Sequence, residues 1–419
     1  MDFKIFLRIF KGPTLTNLLI LLSVIGPGII TAVIDNDAGG IATYSLAGSN
    51  FGYTTLWVFI PMIIALSVIQ EMGARMGVVS KRGLGSLIRE KTGVKMAFFI
   101  ITALLLANFG TIVAEFLGIA SSCEIFGISP FIALPLAGLF VWILVVKGNY
   151  RIVEKIFLGA AVLFFSYVIV AFISNPDWKS VGTNLIIPHV TLSTPYIAII
   201  IALVGTTITA WMQFYLQASV VEKKVPVEDL KFSKIDAVIG AIAVNAFAFF
   251  IVIACAATIF QSGTPVNNVV DISLALVPLV GKYAEVLFAF GLLNASLFAA
   301  SVLPLATSYS VCEIMGYESG VSKSIKQAPV FHGIYLGSIL FGVIIALIPG
   351  LPALNILVVS QIAYGILLPF ILILMLIIIN DKEIMGEYVN SRLFNIISWI
   401  TVITMIILSV AYIITQFIT

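Results

Sequence analysis

Eleven apolar segments of roughly 20 residues or more follow one another along the chain, and short polar loops separate them. A segment of this length can cross a bilayer as an α-helix, and 61% of the 419 residues are hydrophobic whereas 10% are charged. We therefore predict an all-α polytopic membrane protein with a single transmembrane domain over residues 1–419. The predicted segments cover residues 16–48, 54–77, 95–122, 129–147, 151–174, 193–220, 235–260, 281–312, 330–349, 354–380 and 392–417.

Basic residues fall on one side of these segments and predict the orientation. If the amino terminus is cytosolic, only Lys179 and Lys282 of the 22 Lys and Arg residues lie outside. Residues 1–15 then form a cytosolic lead-in, the carboxyl terminus is outside, and the expected location is the plasma (inner) membrane. A monomer is compatible with this plan.

The sequence lacks the signals of two other classes of protein, nucleic-acid-binding proteins and enzymes. No basic patch is interleaved with aromatic residues, so a nucleic-acid partner is not expected. Neither a His-Glu-x-x-His nor a Gly-x-Ser-x-Gly pattern occurs, so an enzyme is not expected either.

The first segment is interrupted at residues 34–40 by the sequence Ile-Asp-Asn-Asp-Ala-Gly-Gly. A carboxylate within hydrocarbon costs roughly 2.5 to 3.5 kcal/mol on insertion scales, and paired glycines weaken a helix at the same point. Membrane proteins build cation sites from broken helices of this kind. Asp35 and Asp37 cannot share one face of a regular helix. We therefore expect Asp37 to coordinate a cation, while Asp35 or Asn36 faces an aqueous vestibule.

A second interruption lies in segment 6, where Gly205, three threonines and Gln213 break the apolar run. Segments 1 and 6 are five segments apart, so they run in opposite directions through the membrane. Interrupted helices in corresponding but inverted positions indicate a transporter built from inverted repeats. Segments 1–5 and 6–10 would be the repeats, with segment 11 appended.

The predicted ligands all offer oxygen atoms: Asp37, Asp35, Asn36, Thr206, Thr209 and Gln361. Such a hard set suits Mg²⁺, Ca²⁺ or Mn²⁺ better than thiophilic metals. Glu115, Gly40 and Gln213 are expected to lie behind these ligands or on a proton path. For Glu115 the alternative is a neutral glutamic acid that bonds another helix. The divalent cation is cargo, and no cofactor is expected.

Several motifs resemble one known family, the Nramp divalent-metal transporters, in the same helix order from about residue 20 to residue 400. They are Gly26-Pro-Gly-Ile-Ile, Asp37-Ala-Gly-Gly40, Ala47-Gly48, Leu56-Trp57, Ala74-Arg75-Met-Gly-Val-Val79, Ala114-Glu115, Ser360-Gln361, Leu368-Pro369-Phe370 and Asp381-Lys-Glu-Ile-Met-Gly-Glu-Tyr-Val-Asn390. The resemblance implies the LeuT-type fold and a central divalent-metal site formed by segments 1 and 6.

The chain departs from the family pattern at the implied metal site. In segment 1 the family has Asp-Pro-Gly-Asn with Asp and Asn both binding metal, and here Gly40 stands at the Asn position. In segment 6 the family has Met-Pro-His, where this chain has Thr209, Ala210 and Trp211; a one-residue shift puts Ala210 at the Met position. The metal-binding thioether is therefore missing, unless Met212 replaces it.

These departures point towards a different cargo. Loss of a soft sulfur removes discrimination against Mg²⁺, and glycine in place of asparagine gives room for a hydrated ion. Ile112 stands where the family has an acidic residue linked to proton passage. The pattern resembles the Nramp-related magnesium transporter branch, which implies import of Mg²⁺, and also Mn²⁺, by alternating access without proton coupling. The alternatives are a proton-coupled Mn²⁺/Fe²⁺ importer and, more distantly, a Na⁺-coupled amino-acid symporter on the same fold.

Overall fold

A computed structural model describes residues 36–146, 163 and 165–418, and this part of the chain is almost entirely helical. Within it, eight helical stretches are long and apolar enough to span a membrane. The longer helices are α1 (Ala38–Phe51), α2 (Phe59–Ser80), α3 (Leu84–Ile125), α4 (Pro130–Val146), α5 (Phe165–Ile173), α6 (Trp178–Ile186), α7 (Thr194–Thr207), α8 (Ala210–Glu222), α9 (Leu230–Cys255), α10 (Ala284–Met315), α11 (Pro329–Ala346), α12 (Ala353–Ile379) and α13 (Arg392–Ile418).

The helices follow the predicted segments in order. Segments 2, 3 and 6 to 11 correspond to the eight spanning stretches, with α7 and α8 as the two halves of segment 6. Segment 4 is the 17-residue helix α4. Segments 1 and 5 lie only partly within the described residues. The described part of segment 1 contains α1, and that of segment 5 contains α5. The predicted lead-in, residues 1–15, lies outside the described residues.

Helix α3 is longer than predicted, because it begins at Leu84 and not near residue 95. Its first turns are polar, so a search for apolar residues does not include them. Glu313 supplies the cap for this helix start: its Oε2 accepts from the backbone N–H of Gly85 at 3.0 Å. Gly93 has φ 78° and marks a kink between the polar start and the apolar remainder.

Two predicted loops contain short helices. The loop predicted at 175–192 holds α6, which begins after Asp177, whose side chain accepts from the backbone N–H of Lys179 at 3.1 Å. The loop predicted at 261–280 holds a 3₁₀ helix over Val270–Leu276. Both are short helices that the pattern of apolar residues alone does not predict.

The second break lies where the sequence predicts it. Helix α7 ends at Thr207, Ile208 has non-helical angles (φ −119°, ψ 65°), and Thr209 is extended (φ −70°, ψ 144°) before α8 begins. Four consecutive β-branched residues, 206–209, lower helix propensity at this point. The break turns the two ends of α7 and α8 towards the interior of the bundle.

Helix α12 packs closely on α7 through small residues. A Cβ added at Gly205 would collide with the backbone carbonyl oxygen of Gln361 and lie 2.6 Å from the backbone nitrogen of Gly365. A Cβ at Gly365 would in turn lie 2.6 Å from the carbonyl oxygen of Ile201. Small residues allow membrane helices to approach at backbone distance. This contact fixes α12 against the first half of the broken segment 6.

Candidate metal-ion site

Asp37 begins helix α1 and lies in the protein interior. Its backbone is extended (φ −69°, ψ −178°), and its Oδ1 accepts from the backbone N–H of Gly40 at 2.6 Å. Aspartate is a preferred residue at this capping position because it satisfies a free N–H of the first turn. Asp37 is only 2% exposed. The sequence therefore places a carboxylate at the positive end of α1. The capping hydrogen bond uses Oδ1 of this carboxylate and not Oδ2.

Glu115 of α3 reaches the same helix end. Its Oε2 accepts from the backbone N–H of Ala38 at 3.3 Å, and its carboxyl group neighbours that of Asp37. Glu115 is fully buried, and none of the ion pairs among the described residues involves either carboxylate. Two buried carboxylates without a basic partner are costly unless protons or a cation neutralise them. Their arrangement thus favours the binding of a positive ion.

Gln361 of α12 connects both interrupted segments. A Cβ added at Gly39 would collide with Nε2 of Gln361 and lie 3.3 Å from Oδ1 of Asp37, so both side chains lie beside Gly39. The Gln361 backbone carbonyl meanwhile lies against Gly205 of α7. The structure therefore brings Asp37, Glu115 and Gln361 together, with the first half of segment 6 adjoining them.

The hydroxyl groups at the second break are available for a ligand. Thr206 and Thr209 are each 1% exposed, and the Oγ1 atom of neither has a hydrogen-bond partner. Thr209 occupies the capping position of α8 without using its side chain there. The adjacent Thr207 is instead paired with Tyr44 of α1 at 3.1 Å, which ties the two breaks together.

Unpartnered oxygen atoms are concentrated around both breaks. Buried polar atoms in proteins usually have a partner, so a cluster of exceptions indicates water or an ion. They belong to Asn36 (Oδ1), Glu115 (Oε1), Thr206 (Oγ1), Thr209 (Oγ1), Gln213 (Oε1) and Gln361 (Oε1). These six are oxygen atoms, the donor set of Mg²⁺, Ca²⁺ and Mn²⁺, and Nε1 of Trp211 after the second break is a nitrogen that likewise has no partner.

Gln213 and Met212 are directed towards helix α2. Oε1 of Gln213 lies 3.9 Å from the Cβ position of Gly73, while its Nε2 donates to the carbonyl of Thr209 at 3.3 Å. The sulfur of Met212 accepts from Nε2 of Gln70 at 3.0 Å. The thioether that might have replaced the missing methionine is therefore engaged with the amide of a neighbouring helix.

Three predictions at the first break have different outcomes. Asp35 lies outside the described residues. Asn36 is 1% exposed with a free carbonyl oxygen. Gly40 contributes its backbone N–H to Asp37. In the described residues, no group of three or more His, Cys, Asp or Glu side chains is placed to hold a metal, so an ion bound by Asp37 and Glu115 would need neutral oxygens as further ligands.

The structure also shows a polar chain that the sequence analysis did not find. The hydroxyl of Tyr364 donates to Oδ1 of Asn108 at 2.9 Å, and Nδ2 of Asn108 donates to Oγ1 of Thr307 at 2.9 Å. All three residues are buried, and they join α12, α3 and α10. Asn108 lies two turns, about 10 Å, before Glu115 on α3, and Tyr364 lies one turn after Gln361. The spacing of Asn108 and Glu115, two helical turns apart, could have indicated which face of α3 is polar.

Tyr364→Phe is expected to lower metal affinity about tenfold, because removing a residue that holds a metal ligand in place typically lowers the affinity 10- to 100-fold. Loss of the hydroxyl leaves Oδ1 of Asn108 without its donor and loosens α12 beside Gln361. Tyr335→Phe is the matched control, since the buried Tyr335 hydroxyl bonds Val141 at 3.2 Å on α4. Isothermal titration of both variants checks the prediction. Equal loss of affinity in both variants would contradict it.

The surroundings of Ile112 are apolar and closely packed. A Cβ added at Gly342 of α11 would lie 2.7 Å from Ile112 and 2.6 Å from Phe116. Ile112, like Phe116, has no exposed surface. The contact of α3 with Gly342 of α11 is thus apolar at the position where the family pattern has its acidic residue.

In the described residues, the start of α1 and the break between α7 and α8 adjoin a buried, acidic, oxygen-lined site, an arrangement of the class of helical membrane transporters of the LeuT type. Comparison with known families is more specific. The family described as "Natural resistance-associated macrophage protein-like", Nramp, matches residues 28–415. The chain belongs to the Nramp family, as the resemblance implied.

Relatives with assigned names cover almost the whole chain. The divalent metal cation transporter MntH of Deinococcus radiodurans is 26% identical over 405 residues, 93% of this chain and 89% of that protein. MntH of Bacillus subtilis is 26% identical over 408 residues, 95% of this chain and 93% of that protein. At this level of identity, individual ligands can differ while the fold is kept.

Solved structures support the fold assignment. The Eremococcus coleocola manganese transporter, in complex with an aromatic bis-isothiourea compound, has a TM-score of 0.76 at 21% identity, covering 97% of this chain and 88% of that one. MhsT in complex with L-phenylalanine has a TM-score of 0.58 at 16% identity, covering 93% and 97%. The predicted LeuT-type fold is confirmed.

Proposed function

We propose that this protein imports divalent metal ions by alternating access, with Mg²⁺ as the main cargo and Mn²⁺ also admitted. The observation that carries the proposal is the pair of buried carboxylates, Asp37 and Glu115, without a basic partner and beside unpartnered neutral oxygens. A divalent cation would neutralise both carboxylates. Mg²⁺ keeps several of its waters when bound, and free hydroxyl and amide oxygens can accept from such waters. The protein itself carries out no chemical conversion, so no enzymatic activity and no cofactor are proposed.

The preference for Mg²⁺ rests on the absence of a soft ligand. Oxygen ligands do not discriminate strongly between Mg²⁺ and Mn²⁺, and only softer donors would favour the transition metal. Met212 is the methionine nearest in sequence to the break, and its sulfur is engaged by Gln70. The geometry at Asp37, Thr209 and Gln361 accordingly suits a hard ion.

Transport without proton coupling is the second part of the proposal. The close contact of Ile112 and Phe116 with Gly342 is apolar and supports this, because Ile112 stands where the family pattern has its acidic residue. Glu115 remains the one carboxylate of α3 within the site, and in this proposal it stabilises the bound cation. The nearby polar chain of Tyr364, Asn108 and Thr307 is made of neutral groups, which orient α3, α10 and α12.

The placement in the membrane is also part of the proposal. One transmembrane domain over residues 1–419 would act as a monomer in the plasma (inner) membrane, with residues 1–15 cytosolic and the carboxyl terminus outside. The distribution of Lys and Arg residues supports this orientation. Import then means movement towards the side that carries Arg82, Glu90 and Lys91.

A proton-coupled Mn²⁺/Fe²⁺ importer is the second candidate, favoured by the names of the MntH relatives and of the Eremococcus manganese transporter. A Na⁺-coupled amino-acid symporter is a more distant one. Its substrate carboxylate would meet Asp37 and Glu115 at the end of α1, where like charges repel, so this candidate is disfavoured.

One flux experiment separates these candidates. The purified protein in sealed vesicles is expected to carry Mg²⁺ and Mn²⁺ at rates within about tenfold of each other, since hard oxygen ligands discriminate little. The pH inside should stay constant when metal is added at an outside pH of 5.5 or 7.5. Mn²⁺ uptake that ignores a large excess of Mg²⁺, or metal-driven acidification, would establish the second candidate instead.

A further inference from the structure

A long apolar groove separates α3 from α12 on the outside of the bundle. It encloses about 850 Å³ and is lined by Thr92, Met96, Phe99, Ile100, Ala103, Leu106, Ala107, Ala363, Ile366, Leu367, Phe370, Ile373, Leu374 and Ile377. Thr92, its one polar residue, donates its hydroxyl to the carbonyl of Ile88 in its own helix at 2.8 Å. The groove therefore presents only hydrocarbon to an occupant.

The dimensions of the groove fit a chain lying along the helices. Beyond the kink at Gly93 it follows α3 from Met96 to Ala107 for 11 residues, about 16 Å, which is about half of the ~30 Å hydrocarbon core of a bilayer. Ile100 and Ala107 form a buried floor, whereas Phe99 is 68% and Leu106 71% exposed at the rim. This is a slot that one leaflet's acyl chain can follow, and not a flat lipid-facing surface.

Charged groups collect at one end of the groove. Lys91 is ion-paired with Asp381, which places the ends of α3 and α12 together. Lys95 is exposed, comes directly before Met96 of the groove lining, and takes part in none of the ion pairs of the described residues. The other charges of this end are Lys382 and Glu383, both exposed, and the pair Arg82–Glu90. This end carries one more positive than negative charge.

We infer that the groove is a binding site for an anionic diacyl phospholipid. One acyl chain lies between α3 and α12, and the phosphate of the head group is held by Lys95. Basic residues beside a cleft between transmembrane helices recognise anionic head groups, and apolar contact along the groove adds about 0.8 kcal/mol for each buried methylene. Lys95 comes at the start of the apolar part of α3, where a spanning helix meets the head-group region.

The bound lipid would support the helices that form the metal-ion site. The two walls are α3, which carries Glu115, and α12, which carries Gln361 two residues before Ala363. A chain packed between them resists any change in their spacing. An effect of the lipid on metal flux rests on the proposed function, whereas binding of the lipid does not.

Native mass spectrometry of the full-length protein, taken without metal from vesicles of equal phosphatidylglycerol and phosphatidylcholine, tests the site. We expect one phosphatidylglycerol to be retained in preference to phosphatidylcholine. Ala103→Trp fills the groove and should reduce retention about tenfold or more, since two lost methylene contacts suffice for that. Lys95→Gln should reduce it about fivefold, the effect of one basic residue near a lipid head group.

The matched control is Ile407→Trp on α13, where Ile407 is 62% exposed to lipid outside the groove. It should leave phosphatidylglycerol retention unchanged. Equal retention of the two lipids, or equal effects of the two tryptophans, would overturn the inference. So would a dimer that Ala103→Trp dissociates, because a second copy would then occupy the groove. Since metal is absent, these outcomes do not depend on whether the protein transports Mg²⁺.

Discussion

We expect Asp37→Asn to reduce uptake of Mg²⁺ and Mn²⁺ by about 100-fold or more. A unit charge 4 Å from another is worth about 4 kcal/mol at an effective dielectric constant of 20, and each 1.4 kcal/mol is a factor of ten. Asparagine keeps the volume of aspartate and also caps helices well. The substitution therefore removes the charge while the hydrogen bond to Gly40 and the start of α1 are retained.

Radiotracer or fluorescent-indicator flux into vesicles measures this effect, with metal binding by calorimetry beside it. Asp177→Asn is the matched control, since Asp177 caps α6 in the same way but outside the candidate site. Glu115→Gln should also reduce uptake, because it removes a buried charge while the amide oxygen can still accept from the backbone N–H of Ala38. Uptake by Asp37→Asn above about a third of the wild-type value would contradict the prediction, because the charge of Asp37 would then contribute far less than about 4 kcal/mol.

The sequence was sufficient to predict the parts of the fold that depend on bilayer length and helix breaking. Apolar runs of spanning length, the β-branched residues before Ala210 and the acidic residue before Ala38 are local signals, and they correspond to the observed helices. Gln361 was predicted as a ligand because it is an amide within an apolar segment, and its position beside Asp37 at Gly39 is a finding of the structure. Polar helical turns, such as the start of α3 at Leu84, carry no apolar signal and were missed.

Side-chain partners across helices could not be predicted in the same way. Asn108, Tyr364 and Thr307 are single polar residues in three apolar runs, and their convergence depends on how α3, α10 and α12 rotate against one another. The same applies to Met212, whose sulfur is directed to Gln70 by the rotation of α8. A rotation of one residue, about 100°, would have turned each of these groups elsewhere.

The two stretches of the resemblance that contain Arg75 and Asn390 meet in one buried network. Arg75 of α2 donates to Oε2 of Glu71 at 2.9 Å and to Oδ1 of Asn390 at 2.6 Å, and it is 5% exposed. It also donates to the backbone carbonyl of Tyr388. Glu71 has a second partner, Lys234 of α9, at 2.9 Å. Arg75 thus fastens the connection between α12 and α13 to the core.

Arg75→Ala is expected to destabilise the protein by about 3 kcal/mol, because the buried carboxylate of Glu71 loses its buried partner and keeps only the part-exposed Lys234. Lys234→Ala is the control: this lysine side chain is 44% exposed, and exposed pairs contribute at most about 1 kcal/mol. Unfolding of each variant in mixed micelles, followed by tryptophan fluorescence, gives the two free energies.

Lysine cannot reproduce the planar donor arrangement of Arg75, so Arg75→Lys should restore only part of the stability. The double variant Arg75→Ala with Glu71→Gln should be more stable than Arg75→Ala alone, since it removes the buried carboxylate that Arg75→Ala leaves with only the part-exposed Lys234 as a partner. A double variant that is no more stable would show that Arg75 acts through Tyr388 and Asn390 and not through its ion pair. In that case the connection from α12 to α13 would loosen in Arg75→Ala while the contact between α2 and α9 stayed intact, and limited proteolysis after Lys382 or Arg392 would report it.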